Sequence, residues 1–292
     1  LKPSDFTATS PNYKKITIEV TDGWLKIDPI ADKVTVTVTE NSAAVTYDGT
    51  EHSVTGYKSM TADNTLYDVE KNVAETPTKA WTAKGTDAGE YPVGIVSGDF
   101  RNTSKNFTNV EFVIVDGTLK IDPVSDKVTV TITENADTVI YDTKEHSVTG
   151  YKSMTADNAL YDVKNNIAET PTEAWTAKGT DVGEYPVGIK AGDFENTSSN
   201  FTNVEFVIVD GALKIAPAES IVVKIAGNTK TVTYNGAEQS VEGYTVTSNP
   251  ANATVTLVGK AAASGTDADT YPMGLTAADF TATSPNYETV VI

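Results

Sequence analysis

Residues 33–40 read KVTVTVTE, and residues 127–134 read KVTVTITE. Valine or isoleucine alternates with threonine through both stretches, which places Val34, Val36 and Val38 on one face of an extended chain and Thr35, Thr37 and Thr39 on the other. β-Branched residues lose side-chain freedom against a helical turn and pack well on a pleated surface. The pattern predicts a half-buried antiparallel strand, and with it an all-β chain.

The rest of the sequence extends that reading. Threonine and valine dominate, leucine is sparse, and no stretch of ten residues carries a helical stripe. Further strands are expected at 44–47, 53–60, 65–69, 79–84, 91–95 and 108–115. A last strand is expected at 118–121, after the turn signal Asp116-Gly117.

The same words return along the chain. DKVTVTVTEN begins at 32 and DKVTVTITEN at 126, an offset of 94; EHSVTGYKSMTADN at 51 and 145 and NFTNVEFVIVDG at 106 and 200 keep that offset. A more divergent third copy begins near Ile221, with YNGAEQSVEGY for YDGTEHSVTGY and GTDADTYPMG for GTDAGEYPVG. From Tyr57 to Tyr91 is 34 residues and from Tyr244 to Tyr271 is 27, so a segment of seven residues is dispensable to the unit.

DFTATSPNY occurs at 5–13 and again at 279–287, where it stands for DFRNTSKNF of the first copy. Residues 1–29 therefore read as the C-terminal remnant of a preceding repeat, followed by repeats over 30–123, 124–217 and 218–292, the last shorter and without a closing DGxLKI segment. A period near 94 is that of one sandwich-sized domain rather than of a solenoid turn. IDPIAD, IDPVSD and IAPAES at the joints each hold one proline, which predicts a semi-rigid, rod-like array. The matched phase of the two ends raises one expectation about partners. A hairpin at about residues 14–27 would add to the incomplete third repeat of another molecule and make head-to-tail chains.

DAGEY at 87–91, DVGEY at 181–185 and DADTY at 267–271 look like the tyrosine corner of immunoglobulin-like sandwiches, pairing Asp87 with Tyr91, Asp181 with Tyr185 and Asp267 with Tyr271. The prolines that follow, Pro92, Pro186 and Pro272, sit badly in a central strand, and a β-grasp unit is the structural alternative. The combination of YDG or YNG, a GY some eight residues later, GTDxGxYP and a closing FxIxxGxLxI resembles the MBG and YDG-type repeats of large bacterial surface proteins. It covers nearly the whole chain and departs at Asp142-Thr143, where the glycine of the turn is missing. The resemblance implies tandem immunoglobulin-like β-sandwich domains at the bacterial cell surface, in an extracellular adhesin or stalk.

The composition excludes several functions. The net charge of −18, from 22 basic and 40 acidic residues, argues against nucleic acid and anionic membranes. No apolar run is long enough to insert into a bilayer. Without cysteine there is no thiol nucleophile and no disulfide. His52 and His146 share one repeat position that Gln239 fills in the third copy, so a catalytic base there is not expected, and neither is any enzyme activity.

No DxDxDG loop is present, so no metal site is expected, although Asp28, Asp32, Asp122 and Asp126 at the joints are candidate calcium ligands against a turn-forming reading. The resemblance to Gram-positive repeats also implies a candidate isopeptide bond, with Lys33 and Lys127 facing Asn109 and Asn203. For a ligand such as a host glycoprotein or glycan, the candidate contacts are Trp81 and Trp175 with nearby Tyr67 and Tyr161, since rings stack on sugar faces. Core packing is the competing reading for these four.

Overall fold

The computed structural model describes residues 1–171 and 173–292, and it is nearly all β. In the first repeat the elements are β1 (Val34–Glu40), β2 (Ala43–Thr46), β3 (His52–Thr55), β4 (Tyr57–Ala62), the single helical turn α1 (Val69–Asn72), β5 (Val73–Glu75), β6 (Thr82–Gly85), β7 (Gly89–Pro92), β8 (Phe100–Asn102), β9 (Val110–Val115) and β10 (Thr118–Asp122). The strands of the second repeat recur 94 residues later, from Val128–Glu134 to Ala212–Ala216. No strand pairing among the described residues crosses 123/124 or 217/218. The chain forms two compact units, Leu1–Pro123 and Val124–Ile292.

The alternation of KVTVTVTE is realised as expected. Val34, Val36 and Val38 are fully buried, each contributing about 1.5–3 kcal/mol of apolar transfer free energy before entropy is counted. The neighbours of this strand differ from expectation. β1 has antiparallel β4 on one side and parallel β9 on the other, with Val34 opposite Val110 and Thr39 opposite Val115. In a second sheet β10 lies between parallel β2 and antiparallel β7. The first and last strands of the repeat are thus side by side and parallel in both sheets.

Asp116-Gly117 is not a hairpin turn: β9 and β10 do not pair with each other, and the chain passes there from one sheet to the other. β1 and β2 make the same passage beside it, at Asn41. Glu40 holds the two bends together. Its carboxylate is buried and accepts the N–H of Ile95 at 2.5 Å and of Gly117 at 2.7 Å. Glu134 repeats this with Ile189 and Gly211. A Cβ on Gly117 would strike the Asn41 carbonyl, so the bend admits only glycine.

The expected strand at 65–69 is a turn followed by α1. Asn64 Oδ1 accepts the N–H of Leu66, and Asp68 Oδ1 caps the helical turn at Lys71 N. The expected strand at 53–60 is split by Gly56 at φ +70°. Two short strands went unforeseen, β5 and β8, which pair with each other. Pro92 is accommodated because β7 is an edge strand, pairing only with β10. The three corner phenols donate to carbonyls four residues back, Tyr91 to Asp87 at 2.9 Å, Tyr185 to Asp181 at 2.9 Å and Tyr271 to Asp267 at 3.2 Å.

Within the second unit, repeats two and three meet at Asn286. Its amide donates to Asp181 Oδ1 at 2.9 Å and its oxygen accepts the N–H of Val182 at 2.8 Å, while Tyr141 and Tyr287 meet edge to face. The third repeat keeps a parallel first-to-last pairing, Ala218–Val222 with Tyr287–Val291. Within it residues 230–234 and 268–273 form no strands. Residues 14–27 likewise form no hairpin.

Candidate functional site

The sequence singled out four aromatics, and the structure divides them into two kinds. Tyr67 and Tyr161 are core residues, 4% exposed. The phenol of Tyr67 donates to the Asn72 carbonyl at 3.0 Å and to Asn102 Oδ1 at 2.9 Å, and its ring meets Phe107 edge to face. Tyr161 does the same with Asn166, Asn196 and Phe201. These tyrosines fasten the longer segment to the body of the repeat and have no free surface for a ligand. The third copy, which lacks the segment, carries Ala282 where Asn102 stands.

Trp81 is half-buried on a shelf of rings, 6.2 Å from Tyr57 and 5.4 Å from Phe100, which in turn stacks on Phe112. Its indole N–H donates to Asp99 Oδ2 at 2.8 Å, as Trp175 donates to Asp193 at 2.9 Å. Asp99 is fully buried at the end of the 3-10 turn Ser97–Asp99 and also accepts the N–H of Val96. Burial pushes its carboxyl up, but the Val96 N–H, the Trp81 indole, the Thr78 N–H and the charge of Lys79 outweigh it and hold the group below the usual carboxylate range. In the third copy Ala261 replaces the tryptophan, and Asp279 takes the hydroxyl of Thr276 instead. At the rim of the shelf the Tyr57 phenol donates to Glu75 at 2.6 Å, and that bond pushes its pKa up to about 12. The polar handles of the shelf are therefore engaged within the repeat, which leaves ring faces as the surface a sugar would meet.

The remaining candidates resolve into local structure. His52 Nε2 lies 3.0 Å from Asp48 Oδ1, His146 lies 2.8 Å from Asp142, and in the third copy Gln239 donates to Asn235 at 3.1 Å. One bridge across one turn is thus made first by an ionisable pair and then by a neutral one, consistent with a hydrogen-bonding role for the histidine position.

Lys33 and Lys127 are half-exposed and paired with Glu111 and Glu205, while Asn109 and Asn203 donate to the carbonyls of Ala31 and Ser125. A lysine so placed lacks the buried carboxylate that an isopeptide bond needs. Asp28 and Asp122 are paired with Lys26 and Lys120 at 2.8 Å, and no group of three metal-ligating side chains occurs among the described residues. Nor is any helix among them long and apolar enough to cross a membrane.

Two residues that organise the repeat escaped the sequence reading. Glu40 continues the buried phase of Val34, Val36 and Val38, and a carboxylate in that phase was the available signal. Asp99 sits in a GDF or ADF word present in every copy, and its partner tryptophan lies 18 residues away. No family model, no curated protein and no solved structure matches the chain.

Proposed function

We propose that this chain is the repeat region of a bacterial cell-surface adhesin and acts as a stalk that presents an attachment site away from the cell. The observation that carries this reading is mechanical. Tension applied through the ends of a repeat enters at the start of β1 and leaves at the end of β10. Because β1 lies parallel to β9 and β2 to β10, that tension loads both ladders in shear, so their hydrogen bonds must fail together rather than one by one.

The side-by-side, parallel first and last strands depart from an all-antiparallel immunoglobulin-like sandwich. The net charge of −18 suits a crowded surface, because it keeps neighbouring copies apart. The extracellular location rests on the resemblance to bacterial surface repeats.

The second reading is that the repeats themselves bind a glycan or mucin weakly and gain from their number. It rests on the half-buried rings of Trp81 and Trp175, present only in the longer copies. Binding to immobilised mucins and a glycan panel separates the two. The stalk predicts no binding by the folded chain. Binding that is lost in Trp81→Phe with Trp175→Phe, in a variant shown to remain folded, favours the second.

A further inference from the structure

β9 is the edge of its three-stranded sheet, and its counterpart Val204–Val209 is an edge in the second repeat. Both strands read VEFVIV. The Val34 amide donates to the Asn109 carbonyl at 2.9 Å, which fixes the parity of the parallel ladder. Glu111 and Val113 turn their backbone groups toward β1, and Val110, Phe112 and Ile114 turn theirs away. No other strand or loop among the described residues donates to or accepts from those three. Val128 donating to Asn203 sets the same parity in the second repeat and leaves Val204, Phe206 and Ile208 facing outward from the sheet edge.

Natural sheets guard such an edge with lysine, proline, a bulge or brevity. Other edges of the repeat carry these devices. β4 bears Lys58 and meets β1 across a bulge at Glu40, β7 ends in Pro92, and β2 has four residues. β9 has six residues in unbroken register with β1, and neither lysine nor proline. Its outward Val113 and Val115 are 39% and 46% exposed, as Val207 and Val209 are at 38% and 46%. Phe112 and Ile114 face the core and are only half-buried there, because the sheet stops beside them.

The chemistry of this edge selects a partner like itself. Its one charge is Glu111, whose carboxylate is held by Lys33, so a chain of net charge −18 offers a nearly neutral strip here. An incoming strand must be apolar in the same phase and must keep carboxylates away from Glu111. VEFVIV meets both conditions against itself.

We propose that β9 pairs antiparallel with the VEFVIV strand of a second copy of this chain, β9 or Val204–Val209, and joins two three-stranded sheets into one. One register uses all three outward-facing residues of each strand. It sets Val110 opposite Ile114, Phe112 opposite Phe112, and Glu111 opposite Val113. The inference does not depend on the adhesin reading; in a stalk, such pairing holds neighbouring molecules side by side.

Sedimentation of the full chain over a concentration series should show association that strengthens with salt, because screening relieves the repulsion between acidic copies. The register is tested by the sign of a charge. Val113→Glu with Val207→Glu sets a carboxylate opposite Glu111 or Glu205 and should leave monomers. Val113→Lys with Val207→Lys sets an ammonium there and should tighten association about tenfold. Both positions are exposed, so both variants should keep the fold. The absence of cysteine allows a covalent check. Glu111 and Val113 form a non-hydrogen-bonded pair, about 4.5 Å between Cα atoms and within reach of a disulfide. A chain with Glu111→Cys and Glu205→Cys, mixed with one carrying Val113→Cys and Val207→Cys, should oxidise to the mixed dimer well above either homodimer. The proposal is overturned if the wild-type chain is monomeric up to the millimolar range in low and high salt. It is also overturned if the glutamate and lysine variants shift association in the same direction, or if the mixed disulfide forms no more readily than the homodimers.

Discussion

Replacing Glu40 with glutamine changes one atom of a buried group and should unfold the first repeat early. The carboxylate receives two N–H donors, from Ile95 and Gly117, at the bend where both parallel strands leave one sheet for the other. Glutamine keeps the volume but has one acceptor oxygen, so its own NH2 must face the second donor.

One buried N–H left unpaired costs about 1–3 kcal/mol, and the surviving bond loses the strength that charge gave it. We expect a total of about 2–4 kcal/mol, which at a urea dependence of roughly 2 kcal/mol per molar lowers the midpoint of that repeat by about 1–2 M. The second repeat, with Glu134 intact, is the internal control. Hydrogen exchange followed by mass spectrometry at rising urea resolves the two, since Val96 against Lys190 and Thr118 against Ala212 distinguish otherwise similar peptides. The peptides covering 93–96 and 116–121 should lose protection first, with 187–190 and 210–215 unchanged. Equal midpoints for the two repeats in Glu40→Gln would refute the role assigned to this carboxylate.

Three further outcomes follow from particular residues. Thr143 sits at φ +71° where the other copies have Gly49 and Gly236; relief of a left-handed β-branched residue, less the flexibility glycine adds, should make Thr143→Gly more stable by about 0.5–1 kcal/mol, and Gly49→Thr less stable, by urea titration.

Tyr57 and Tyr151 bind their protons more tightly folded than unfolded, because Glu75 and Glu169 accept from them, and their pKa values are pushed up to about 12. Their contribution to stability is therefore present below the ordinary tyrosine value and lost as pH rises from about 10 toward 12. Ultraviolet titration should show two phenols ionising last, and Tyr57→Phe should remove one. Asn286→Ala deletes both hydrogen bonds to Asp181 and Val182 and should weaken the seating of the third repeat on the second by about 1–3 kcal/mol, read as exchange of the Val182 amide.

What was legible in the sequence was local. Alternation in KVTVTVTE fixes which residues face the core, the spacing of Tyr91 from Asp87 fixes a bond within one turn, and the exchange of His52 for Gln239 reveals a surface bridge. What was not legible depends on partners far along the chain. Nothing in VEFVIV states that β9 will lie parallel to β1 some 76 residues earlier, and Asp116-Gly117 has the composition of a hairpin turn although it serves as a passage between sheets. The aromatics show the same limit: Tyr67 and Trp81 look alike as candidate ligand contacts, and only Asn102 and Asp99, both distant in sequence, decide that one is core and the other a half-covered shelf.

The most direct test of the stalk is to stretch the chain by its ends with single-molecule force spectroscopy. The first and second repeats, with both parallel ladders complete, should unfold in two similar high-force events, each releasing about 310–340 Å of chain for 94 residues. If the first and second repeats yield at low force, shear across parallel first and last strands is not what this chain is built to resist.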